Sequence, residues 1–168
     1  MRGARPLPSI RSVRRVLPLS LALALVAAGC GSSGQSATPT ACLAPVGRYL
    51  TALQAAPGEV RLGDQTAISE CFSETQGPGD LSNVGQTVVK AATQLNASAR
   101  RDPSGPHTVM LGYLVGAVHL GASHAAGADA ELVRRLDAAA RFNPAGGTLG
   151  AVFERAFGKG YAAGEQSG

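Results

Sequence analysis

The chain has 168 residues, 45% hydrophobic but only 4% aromatic and without Trp, so a core must be built largely from Ala, Val and Leu. Its length suits one domain. The formal charge of +4 invites a nucleic-acid reading, but Arg2, Arg5, Arg11, Arg14 and Arg15 fall in the first fifteen residues with no acidic neighbour. Without that segment ten basic residues face eleven acidic ones, a net of −1. Such a remainder has no electrostatic footprint for a phosphate backbone, and nucleic acid is excluded as a partner.

The first element is an export signal. MRGARPLPSIRSVRR is basic, and VLPLSLALALVAA is an apolar run of about thirteen residues. That run fits a signal peptide and falls short of the roughly twenty residues a spanning helix needs. Ala27, Ala28 and Gly29 then precede Cys30. This pattern resembles the lipobox of bacterial lipoproteins, in which an apolar residue and two small ones precede an invariant cysteine. Ala27 stands where Leu is usual. The resemblance covers residues 1–30 only. It implies diacylglyceryl transfer to the Cys30 thiol and cleavage after Gly29, leaving acyl chains of the palmitate type on Cys30. Two or more such chains anchor stably where one does not. The expected location is the outer face of a bacterial cytoplasmic membrane, or the cell envelope generally. Arg14-Arg15 suggests twin-arginine export, but Pro18 interrupts the hydrophobic pair that should follow, so general secretion is favoured.

Residues 30–40 are rich in Gly and Ser and read as a tether. With Cys30 assigned to lipid, Cys42 and Cys71 remain as an even pair in an oxidising compartment and are expected to form a disulfide.

Beyond the tether the pattern is helical, and residues 41–158 read as one all-α domain. Leu43, Val46, Leu50 and Leu53 follow a helical stripe that Pro57-Gly58 ends. Asp64 can cap a second helix with Ile68, Cys71 and Phe72 on one face. Leu81, Val84, Val88, Ala92 and Leu95 mark a third. Pro106 suits the first turn of a fourth, whose apolar residues on nearly every side make it the central buried helix. Asp129 can cap a fifth carrying Leu132, Val133, Leu136 and Ala140, and NPAGG at 143–147 stops it. Thr148 can cap a sixth carrying Leu149, Val152, Phe153, Ala156 and Phe157, with 159–168 expected as a frayed tail. The expected architecture is a compact bundle of five or six short helices.

Chemistry-bearing residues are sparse. Gly112 and Gly116 have the small-xxx-small spacing of closely packed helices. His119 and His124 are five residues apart, about 140° on a helical wheel, and His107 lies on a third side, so no metal site is expected. No G-x-S-x-G or phosphate-binding loop occurs. Glu131–Arg135 and Asp137–Arg141 read as i,i+4 surface pairs. No catalytic residues and no cofactor are expected. The favoured function is a lipid-anchored, non-enzymatic binding or scaffold domain whose partner is a protein, such as an envelope protein, or another envelope component. The alternative is a small-ligand-binding lipoprotein with a cleft beside the central helix, lined by Tyr113 and His119.

Overall fold

The computed structural model describes residues 38–63, 65–125 and 130–168. The lipobox, Cys30 and the expected caps Asp64 and Asp129 lie outside the described residues. The domain is all-α. Five α-helices follow in order: α1 (Val46–Ala52), α2 (Pro78–Ala99), α3 (Pro106–His124), α4 (Ala130–Arg141) and α5 (Ala151–Ser167). Short 3-10 turns at Thr40–Leu43, Leu53–Ala55 and Ser69–Cys71 complete the regular structure. Extended pairing among the described residues is limited to one isolated bridge, Leu62 to Thr66.

The central helix is α3. Its eight residues from Leu111 to Val118 are all buried, which follows from apolar side chains on every face. The helix packed most intimately on it is α5. A Cβ added at Gly112 would fall on the Phe157 carbonyl and 2.9 Å from the Tyr161 amide nitrogen. At Gly116 it would fall on the Tyr161 carbonyl and 3.0 Å from the Glu165 nitrogen. From the other side, Gly160 meets the Val109 carbonyl and Gly164 the Tyr113 carbonyl, with amide nitrogens 2.8 Å from each added Cβ. The pairings rise together along both chains, so α3 and α5 run parallel. Their backbones touch along a seam of glycines, because any side chain there would hold the helices apart. Close backbone approach also permits Cα–H···O contacts between the helices.

This seam corrects the expectation of a frayed tail. Residues 159–168 continue α5 to Ser167, and Gly160, Gly164 and Gly168 are buried. Gly160, Gly164 and Gly168 repeat at intervals of four, the same spacing as Gly112 and Gly116, and so present one smooth face.

Two other expectations change. The segment expected as a helix around Ile68–Phe72 holds only the 3-10 turn Ser69–Cys71, although Ile68, Cys71 and Phe72 are all buried. Tertiary packing buries these residues without a helical period. The cap of α5 is Gly150 and not Thr148, with Gly146 and Gly147 at positive φ (71° and 81°) just before it. Two consecutive left-handed residues turn the chain within the stop segment, and glycine adopts that conformation without steric cost.

Cys42 and Cys71 form the expected disulfide, with Cα atoms 5.4 Å apart. Both residues are buried, and the Tyr49 hydroxyl donates to the Cys42 carbonyl at 2.8 Å. Burial pushes the Tyr49 phenol up from its ordinary value. At the other end of the domain the buried Asn96 amide donates to the carbonyls of Ala139 and Phe142 at 3.0 and 2.8 Å. These carbonyls belong to the end of α4, where helical partners run out. Asn96 therefore ties α2 to α4, and Arg100 donates from Nε to its Oδ1 at 2.9 Å.

Candidate functional site

Three helices converge on His119. It lies on α3 just past the buried stretch, where the helix begins to emerge. Asp137 reaches it from α4, with Oδ1 3.1 Å from Nε2. Tyr161 reaches it from α5, with its hydroxyl 3.1 Å from Nδ1 and the two rings edge-on at 5.5 Å. A carboxylate only accepts, so Nε2–H donates to Asp137. In the neutral imidazole Nδ1 is then the acceptor, and the Tyr161 hydroxyl donates to it. The His119 and Asp137 side chains are 28% and 38% exposed, so the cluster opens to solvent.

Tyr161 holds its proton firmly in this cluster. Its phenol is pushed up to about 12, first by burial and then by hydrogen bonding and charge from Glu165, with Asp137 adding to the effect. A phenol held so firmly protonated is a donor, not an activated nucleophile. Beyond Tyr161 the aromatic row continues as Phe157 and Phe153, with stacked ring centroids 6.2 and 5.8 Å apart. The Arg141 guanidinium lies over Phe157 at 5.1 Å and Arg100 over Phe153 at 5.3 Å.

Each residue singled out in the sequence now has a place. His107 is exposed in the first turn of α3, and His124 is exposed in its last turn, where a cation is favoured by the helix dipole. No group of three or more potential metal ligands occurs among the described residues. Tyr113 is fully buried, receives the Val60 N–H at 3.3 Å and pairs with Ser167 Oγ at 3.2 Å. Tyr113 is thus part of the packed core. Glu131 meets Arg135 at 2.7 Å as expected and also binds Arg134 at 2.8 Å. The two guanidinium donors hold its carboxyl down at about 2. The second expected pair does not form. Asp137 turns to His119, while Arg141 sits 3.7 Å from Glu154. Arg141 is engaged instead by Glu154 and by the ring of Phe157.

Sequence reasoning missed Asp137 and Tyr161 as partners of His119. The available signal was the glycine spacing after Gly158, which marks residues 160–168 as a packed helix and brings Tyr161 inward.

A separate feature is a groove of about 620 Å3 between α2 and α4. Pro78, Leu81, Gly85 and Val89 line it from α2, and Leu132 from α4. Polar and charged Ser82, Gln86, Lys90, Glu131 and Arg135 share the lining. A smaller cavity of about 330 Å3 lies between Arg100 and the start of α5.

No family model, curated protein or solved structure matches this chain. No helix among the described residues is long and apolar enough to cross a membrane.

Proposed function

We propose that this protein is a lipid-anchored, extracytoplasmic binding domain without catalytic activity, attached through Cys30 to the outer face of a bacterial membrane. The observation that carries the reading is the Cys42–Cys71 disulfide. It accounts for two of the three cysteines and suits an oxidising compartment. The third, Cys30, stands where an apolar run meets a polar Gly/Ser-rich stretch. The bound partner on this reading is a protein or another component of the envelope.

A second reading, binding of a small ligand, is favoured by the α2–α4 groove, whose volume falls within the range of small-molecule sites.

The test is the intact mass of membrane-extracted protein with and without reductant. Loss of residues 1–29 together with added acyl mass on Cys30 is the expected result. An unmodified Cys30, or retention of the first 29 residues, would overturn the anchor.

A further inference from the structure

The two halves of α4 are held differently. Its last turn is tied to α2, where Asn96 and Arg100 donate to the Ala139, Arg141 and Phe142 carbonyls. Its buried residues, Leu136 and Ala140, also fall in the second half. Before Ala138, the polar bond from α4 to another helix among the described residues is the one from Asp137 to His119. Glu131 pairs within α4, with Arg134 and Arg135. Glu131, Leu132 and Arg135 line the α2–α4 groove, so the Asp137–His119 bond also steadies one wall of that groove.

We propose that His119 is a proton-operated clamp on α4: proton uptake at Nδ1 turns its neutral bond to Asp137 into an ion pair and draws α4 onto α3. The geometry admits the proton without leaving any group unpaired. With the imidazole neutral, Nε2–H donates to Asp137 and Nδ1 accepts from the Tyr161 hydroxyl. A proton arriving on Nδ1 makes both ring nitrogens donors. The Tyr161 oxygen then accepts from Nδ1–H. Its own O–H turns to Glu165, one turn further along α5, which already acts on the same hydroxyl. The bond to Asp137 becomes charge-assisted, roughly twice as strong as a neutral one. The surroundings suit a cation here. Asp137 and Arg141 from α4 and Glu165 from α5 all act on the Tyr161 phenol, two carboxylates against one guanidinium. Within one turn of His119, α3 itself adds no charged side chain. The Ser69–Cys71 turn also packs on α3, but its Glu70 carboxylate is engaged by the Ala67 amide, and no charged side chain of α2 bonds to His119. Histidine changes charge between about pH 5 and 8. The charged form makes the stronger bond, so the clamp tightens on the acidic side of neutrality and relaxes as pH rises.

The test is amide hydrogen exchange of the full chain in neutral detergent, with each rate divided by the unstructured-chain rate at the same pH. The series runs from about pH 7.5 to about pH 5.5, a window that spans histidine and stays above ordinary carboxylates. The readout is the protection of the α4 amides from Arg134 to Leu136 relative to that of the buried α3 amides from Leu111 to Val118, which report opening of the whole domain. This ratio should rise roughly two- to fivefold on acidification, the range of one partly exposed ion pair. His119→Gln should remove the rise. Asp137→Asn keeps an acceptor for Nε2–H but no charge, and should remove it too, which separates the charge from mere packing. His124→Gln, an exposed histidine on the same helix, should keep it. A ratio that does not move with pH, because α3 and α4 gain protection together or neither gains, would overturn the clamp. So would a rise that persists in His119→Gln.

Discussion

Glycine substitutions in α5 should have opposite signs only two residues apart. Gly158 is exposed, and an added Cβ meets nothing within 4 Å. Gly160 is buried in the seam, where a Cβ would strike the Val109 carbonyl and lie 2.8 Å from the Tyr113 nitrogen. Gly158→Ala gains only the backbone-entropy advantage of Ala in a helix, about 0.5–1 kcal/mol. Gly160→Ala gains the same, but the obstacle is backbone on a buried helix and cannot rotate away. The helices must separate, and overpacking of this kind costs about 1–3 kcal/mol. The two variants should therefore differ by the overpacking cost alone, about 1–3 kcal/mol. With a urea slope of about 2 kcal/mol per molar, this is a midpoint gap of about 0.5–1.5 M, read by helical circular dichroism. Gly112→Ala should resemble Gly160→Ala. The double variant should cost less than the two singles combined, because the first separation makes room for the second methyl. A Gly160→Ala protein as stable as Gly158→Ala would refute the backbone-contact seam.

Further expectations concern the disulfide, the interhelical amide and the His119 cluster. Replacing Cys42 and Cys71 together by Ser should cost about 3.5 kcal/mol, since the pair closes a loop with a sequence separation of 29. A denaturation midpoint insensitive to reductant would contradict this. Asn96→Ala leaves the Ala139 and Phe142 carbonyls without its amide and should lower stability by about 1–3 kcal/mol, measured by thermal melting. Tyr161 is raised from an ordinary 10.0 to about 12, so the folded state holds its proton where the unfolded state releases it. Its contribution is present below pH 10 and is lost as pH rises from about 10 to 12. Tyr161→Phe should flatten that alkaline decline in a melting-temperature series. An unchanged decline would show that Tyr161 is not its source.

Much of the helical architecture was legible along the chain because it depends on local pattern. The stripe Val84, Val88, Ala92 and Leu95 is buried in α2 as its spacing required. Pro106 opens α3, and the apolar faces of that helix made it central. The cysteine pair was legible because only two cysteines remained after Cys30. The candidate site was much less so. Asp137 has two plausible partners by sequence, Arg141 one turn away and His119 on another helix, and spacing alone favours the nearer. Tyr161 lies in a glycine-rich stretch that resembles a fraying end until the facing glycines of α3 are placed against it.

By itself the sequence determined the all-α class, the order of the main helices, the disulfide pairing and the basic, apolar front end. All of these depend on periodicity, turn residues or cysteine count, which are properties of neighbours along the chain. Only the tertiary structure decided that α3 and α5 pack in parallel, that His119 joins three helices, and that α2 and α4 leave a groove. Each depends on which backbone can approach which. Glycine permits that approach in several places, and only the folded chain selects among them.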